Sequence, residues 1–377
     1  MSIKAETSFS LKDQLFNADR VNEFGSAVAD ACPGFDRESY STEVLGKFPE
    51  LELKQRIDWM VTVLGRYLPA EFPEALAVLG RALPPPLDPT LTDDDFGTFV
   101  WVVPGEYVAR HGCNARYLKR SLKFLGQATQ RFSSESAIRP FLRGFPDQTM
   151  ACVRRWTGHR NYHVRRLASE GIRPLLPWAI RAEIPAADII EVLDQLYADS
   201  TRYVVRSVAN NINDISKSEP ALVINTLGRW HKEGRQDQRE MQWLTRHALR
   251  TLLKQNDPAA YEFLGYPSKP AFRLSGIDCS PAVSVGQHLD WRCTLQSKAR
   301  QHLKINLRIH FLKANGSHST KVFSVTDGQF DAGQRLQISK KLPMRPMTTR
   351  TLYPGKHYAE LVVNGRARGR RAFQLTA

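Results

Sequence analysis

The sequence predicts an α + separate β architecture, a HEAT-like α-solenoid followed by an immunoglobulin-like β-sandwich. Two observations carry this. Three segments centred on Arg165, Arg206 and Arg246 repeat one helical register 41 and 40 residues apart, which is the spacing of two-helix repeats that stack on their neighbours. Past Tyr266-Pro-Ser-Lys-Pro270 the apolar period then changes from helical to alternating, the pattern of half-buried strands. The expected domains are therefore 1–267 and 268–377.

Residues 9–82 read as helices over Leu11 to Leu15, Val21 to Cys32 and a long apolar stripe from Leu51 to Leu68. Leu83-Pro-Pro-Pro-Leu-Asp-Pro89 must be a loop, because proline lacks the donor a helix interior needs. Asp93-Asp-Asp then supplies carboxylates suited to a helix N-terminus, and helices continue to about Leu264. In the first repeated segment Val164, Leu167, Ala168 and Ile172 are the apolar face, leaving Arg165, Ser169 and Arg173 on another. In the second, Val205, Val208, Ala209 and Ile212 are apolar and Arg206, Asn210 and Asp214 are presented. The third, Met241 to Gln255, presents Arg246, Arg250 and Lys254. Across these nine positions Asp214 is the only carboxylate. Beyond residue 268, segments such as Leu289 to Leu295, Leu303 to Leu312, Lys321 to Val325, Arg335 to Ile338 and Tyr358 to Val363 read as strands. Turn signals at Asn315-Gly316, Asp327-Gly328 and Asn364-Gly365 separate them, and about seven strands in roughly 105 residues suit a sandwich.

The net charge of +15 is uneven. Residues 131–181 hold 10 Lys+Arg against 3 Asp+Glu, all ten being Arg, and residues 270–377 hold 18 against 5. Arginine is the side chain favoured for bidentate phosphate contact, so a polyanion is the expected partner. A solvated charged face is the alternative, though it would normally mix Lys with Arg. The N-terminal residues contain no apolar run long enough for a signal peptide or membrane span. A cytosolic location, with work at the nucleoid, is expected. Five cysteines form no C-x-x-C pair and read as reduced and mostly buried, with a Cys279–Cys293 pair as the alternative in an oxidising compartment. The histidines show no metal-ligand spacing and no Gly-rich phosphate loop appears, so neither metal nor cofactor is expected.

The runs Arg131-Phe-Ser-Ser-Glu-Ser-Ala-Ile-Arg-Pro-Phe-Leu142, His163 to Trp178 and Val205 to Asp214 resemble the AlkC branch of the HEAT-like-repeat alkylpurine DNA glycosylases. The likeness runs from about residue 9 to 266, taking in Asp94 to Tyr107 and Arg246 to Leu252. A subset of this branch also carries an immunoglobulin-like C-terminal domain. One departure is visible, for the family form has a second Arg where this chain has Leu175, which leaves one phosphate contact without its residue. The resemblance implies hydrolytic excision of cationic alkylated bases such as 3-methyladenine and 3-methylcytosine from duplex DNA, in base excision repair and without flipping the base into a pocket. A monomer is expected.

A cationic base is already a good leaving group, so the enzyme has mainly to stabilise an oxocarbenium-like sugar and position water. Asp214, Glu170 and Glu135 are the candidate carboxylates. Each has a structural alternative: an ion pair with Arg173 or Lys254 for Asp214, salt bridges with Arg166 or Arg173 for Glu170, and a helix N-terminus for Glu135. Trp178 is a candidate to pack on deoxyribose or a cationic base, with core packing as its alternative. Arg165, Arg166, Arg173, Arg206, Asn210, Arg246 and Arg250 are the candidate DNA contacts. Trp156, Trp230 and Trp243 read as core. No lysine stands out as a Schiff-base nucleophile, which favours a monofunctional hydrolase over a lyase. The competing class is a non-enzymatic HEAT-like scaffold that binds nucleic acid or protein; it explains the repeats and the charge but not carboxylates in a basic groove.

Overall fold

The computed structural model describes residues 10–93, 96–346 and 351–377. Up to Phe263 the regular structure is helical: α1 (Leu11–Leu15), α2 (Ala18–Ala31), α3 (Arg37–Lys47), α4 (Leu53–Tyr67), α5 (Phe72–Ala82), α6 (Val102–Gly112), α7 (Leu118–Ala128), α8 (Arg139–Gly144), α9 (Pro146–Trp156), α10 (Tyr162–Glu170), α11 (Ala186–Leu193), α12 (Arg202–Ile215), α13 (Pro220–Glu233), α14 (Gln238–Ala248), α15 (Arg250–Gln255) and α16 (Pro258–Phe263). Local chemistry sets several starts. Asn17, Asp36, Asn161 and Asp257 each accept a backbone N–H of the first turn, and Glu52 with Gln55 forms a capping box. Among the described residues, the proline-rich stretch after Leu83 carries no regular element before a 3-10 turn at Phe99–Trp101. Asp93 does not cap that turn but pairs with Arg206 of α12; Asp94 and Asp95 lie outside the described residues.

The repeated segments become α10, α12 and α14, and α12 packs between the other two. Val164, Leu167, Ala168, Ile172, Val205, Val208, Ala209 and Ile212 are all buried as their spacing requires. The third segment breaks at Leu249 into α14 and α15, so Arg246 lies in the last turn of one helix and Arg250 at the start of the next. Two compact units result. One takes the helical chain up to Ser218 together with Trp230–Ala248; the other takes Glu219–Arg229 together with Leu249–Ala377. Helix gives way to strand between Phe263 and Phe272. Within the second unit the last helices nonetheless pack with strands, for Tyr261 and Tyr266 are buried and the Tyr266 hydroxyl donates to the Asp327 carboxylate at 2.8 Å.

The β part has strands β1 (Phe272–Cys279), β2 (Ala282–Ser284), β3 (His288–Ser297), β4 (Gln301–Leu312), β5 (His318–Phe330), β6 (Arg335–Pro343), β7 (Gly355–Val363) and β8 (Arg366–Thr376). Two sheets form, ordered β1-β3-β6 and β2-β8-β7-β4-β5. Only β2 and β8 pair in parallel among these strands. Leu289, Trp291, Cys293 and Leu295 alternate inward from β3 to meet Leu303, Ile305, Leu307 and Ile309 of β4, which is sandwich packing. Asn364 and Gly365 make the β7–β8 turn with φ +46° and +78°, the two left-handed residues of a type I′ hairpin. Asp327-Gly328, by contrast, is no turn: both residues pair with β4 from inside β5. Asp327 is held there by Tyr266, Lys304 and His302. Among the described residues no helix is long and apolar enough to cross a membrane.

Candidate functional site

The helical unit contains a cleft of about 870 Å³. One face of α4 supplies Lys54, Ile57, Asp58 and Val61, and one face of α6 supplies Val102, Glu106, Ala109 and Arg110. The α4 set follows i, i+3, i+4 and i+7 and the α6 set i, i+4, i+7 and i+8, so each is a continuous helical stripe. Phe96, Phe99, Phe132 and Tyr203 make aromatic walls, and Glu135, Arg166 and Trp178 reach the cleft from the far side. Three residues singled out from sequence therefore share one cavity.

Glu135 lies in the Ser-Ser-Glu turn before α8, where its Oε2 accepts from Ser133 Oγ at 2.7 Å and from Arg166 Nη1 at 2.8 Å. The Arg166 guanidinium stacks over Tyr203, 4.6 Å from the ring centroid, and its Nη2 lies 3.7 Å from Glu170 Oε1. Glu170 in turn accepts from Arg173 Nη1 at 2.6 Å and from Ser207 Oγ at 2.6 Å. Arg173 completes the chain by donating Nε to Asp214 Oδ2 at 3.0 Å. Lys217 lies 3.3 Å from the other Asp214 oxygen. Glu135, Arg166, Glu170, Arg173 and Asp214 thus alternate in sign from the cleft to the α10–α12 interface. Arg173 and Lys217 are the partners of Asp214.

Burial decides which of these groups can meet a ligand. The side chain of Glu135 is 28% exposed, while those of Glu170 and Asp214 are 5% and 3% exposed. Burial alone would raise Glu170, but the Arg166 and Arg173 charges and the Ser207 and Arg173 hydrogen bonds outweigh it and hold the carboxylate below its usual range. Burial would likewise lower Arg166, and the charges of Glu135 and Glu170 keep it protonated. Glu106, which sequence reading passed over, behaves differently: burial pushes it up to about 6, opposed only in part by Lys54 and Arg110. Its signal was its place in the α6 stripe. Among the described residues no hydrogen bond or ion pair reaches that carboxylate.

The structure uses the candidate arginines in two ways. Arg165 is a clamp: it grips Asp199 through Nε and Nη2 at 2.5 and 3.0 Å and gives Nη1 to the carbonyls of His159 and Arg160. Arg173 is buried between Glu170 and Asp214. Arg206 pairs with Asp93 yet stays partly exposed, Arg246 is exposed on α14, and Asn210 meets His247 at 2.9 Å. Arg250 opens α15 in the other unit. Trp156 and Trp230 are core, whereas Trp243 is only half-buried, stacked on His247 and capped by Arg202 at 4.1 Å.

Trp178 is not core either. It is 68% exposed and its φ is +62°, a left-handed backbone that costs a side-chain-bearing residue roughly 1–2 kcal/mol. Arg139, which sequence reading also passed over, is fully buried and fastens the loop that carries it. Among the described residues no three His, Cys, Asp or Glu side chains gather as metal ligands do.

This geometry has close relatives. The family model "Uncharacterised protein YhaZ, C-terminal Ig-like domain" matches residues 274–377. The uncharacterized protein YhaZ of Bacillus subtilis (strain 168) is 31% identical over 369 residues, 96% of this chain and 98% of its own. Among solved structures, the Pseudomonas fluorescens alkylpurine DNA glycosylase AlkC, bound to DNA containing an abasic site analog, superposes with a TM-score of 0.86. It is 32% identical, covering 98% of this chain and 100% of that one. Likeness of that extent and level, through both the helical and the strand-rich parts, establishes that the chain belongs to the AlkC family of alkylpurine DNA glycosylases.

Proposed function

We propose that the protein is a monofunctional DNA glycosylase, acting as a monomer on duplex DNA and hydrolysing the N-glycosidic bond of cationic alkylated bases of the 3-methyladenine and 3-methylcytosine class. The observation that supports this most is Glu135, a partly exposed carboxylate at a cleft rim, held by Ser133 and Arg166 and accompanied by an exposed tryptophan. The likeness to the alkylpurine DNA glycosylase AlkC, solved on DNA containing an abasic site analog, supports action on alkylated bases in DNA. Because the positive base leaves readily, the barrier lies in the charge that develops on the sugar. In this reading Glu135 stabilises that charge and orients water. Glu170 and Asp214 contribute by holding Arg166 and Arg173, so that the site carries fixed charges that need not reorganise during reaction.

Release of 3-methyladenine from methylated DNA by the purified protein tests the reading. Glu135→Gln should slow single-turnover release by about 10²–10³, the scale of losing one preorganised stabilising group, while DNA affinity holds or rises because a negative charge has gone. Release at the normal rate would remove Glu135 from the chemistry. DNA binding without any release by the wild type would favour the scaffold reading.

A further inference from the structure

Trp178 stands where packing alone would not leave it. It sits in the irregular segment between α10 and α11, with its indole in solvent and its backbone left-handed. Such a conformation persists only where the surroundings over-determine it. Two cations do so here. Arg139, at the start of α8, donates Nη1 to the carbonyls of Gly171 at 2.8 Å and Arg173 at 3.0 Å, and Nε to that of Ile180 at 2.9 Å. One guanidinium therefore closes both ends of the loop. Lys54 of α4 then donates Nζ to the carbonyl of Trp178 itself at 2.6 Å.

Arg139 is an expensive way to pack a short helix. It is fully buried, and among the described residues no carboxylate pairs with it. Burial together with the repulsion of Arg181 and Arg173 lowers it to about 10, and its Nη2 finds no acceptor. A leucine would fill such a place with no charge to desolvate. What only a planar fork does is hold several carbonyls in one geometry.

We propose that Arg139 and Lys54 are positioning residues that lock the loop so that Trp178 meets the nucleotide at the lesion already rigid. What the indole meets rests on the glycosylase reading; the lock itself does not. Rigidity matters because misplacing a group that contacts the reacting nucleotide forfeits much of the benefit of proximity.

The test is a double-mutant cycle in the full-length chain. Lys54→Met should slow single-turnover release of 3-methyladenine about tenfold, with DNA affinity within about threefold and the rate largely recovered in Lys54→Arg. In a Trp178→Ala background Lys54→Met should have no further effect, since residues acting through one partner are not additive. Arg139→Lys, which keeps charge and loses the fork, should behave as Lys54→Met does; if it melts early, the Lys54 cycle decides alone. A second readout is free of activity: the fluorescence anisotropy of Trp178, taken as the difference from Trp178→Phe, should fall in Lys54→Met. If the wild type releases no base but that anisotropy falls, the glycosylase reading fails and the lock stands. An unchanged anisotropy overturns the lock. So does a Lys54→Met defect that is equal in both backgrounds with a salt slope flatter by about one, which would make Lys54 a phosphate contact.

Discussion

At the scale of single residues, Glu106 and Glu170 show how two carboxylates in one unit acquire opposite characters. Glu170 has two guanidinium groups and a hydroxyl within reach and is held ionised. Glu106 faces an aromatic-walled cleft, where burial favours its neutral form. A folded-state value raised to about 6 means that the fold gives up stability as pH climbs through that value, because the charge is better solvated in the unfolded chain. Glu106→Gln should therefore stabilise the protein by about 2 kcal/mol at pH 7.5, with the gain vanishing below about pH 4.5 where both states are protonated. Urea midpoints at the two pH values check this. An equal gain at both would show that packing, not charge, is responsible.

The elements follow the sequence wherever apolar periodicity sets them and depart from it wherever a charged group turns inward. The buried stripes of α10 and α12 were legible residue by residue, since burial of Val164, Leu167, Val205 and Val208 follows from spacing alone. The arginines were not. Composition treats all ten between 131 and 181 as phosphate ligands, yet Arg131, Arg139 and Arg165 each grip two or more backbone carbonyls and Arg173 bridges two carboxylates. The same fork that suits phosphate suits a buried set of acceptors, and a sequence does not say which is nearby. Of the candidate site, the family-like motifs contained Glu135, Arg166 and Trp178 as singled-out residues, but Lys54 and Arg139 depend on three-dimensional neighbours 32 to 124 residues away, and Glu106 on the cleft that α4 and α6 make together. Arg165 gives the element-scale prediction. It ties α10 to Asp199, whose carboxylate also receives the N–H and hydroxyl of Thr201 at the start of α12. Arg165→Ala should cost about 3 kcal/mol, the low end for breaking a buried pair and leaving its partner uncompensated. A variant of wild-type stability that binds DNA more weakly would return Arg165 to the phosphate contacts.

For the molecule as a whole, charge is distributed by domain rather than by helix face. Residues 270–377 carry 18 cations against 5 anions, and β8 alone presents Arg366, Arg368, Arg370 and Arg371 with exposed side chains. Sandwich packing does not require them, because the inward positions of that strand are filled by Phe373 and Leu375. Arg366 donates to the Ser268 carbonyl and Arg370 lies over Tyr358, so the exposed surface around this strand is partly ordered as well as basic. If this face holds duplex DNA, each phosphate it neutralises releases condensed counterions, and the slope of log affinity against log salt records the number. Replacing Arg368, Arg370 and Arg371 together by Gln should flatten that slope by about 2–3 and weaken binding most at low salt. The single-turnover rate at saturating protein should stay unchanged, since none of the three lines the cleft. The melting temperature should nearly hold, because the contacts of these exposed charges, a cation–π pair with Tyr358 and neighbouring carbonyls, contribute little to stability. A slope that does not move would assign the basic sandwich to solubility or to another partner, and a rate that falls with it would mean that the strand domain shapes the DNA for chemistry as well as holding it.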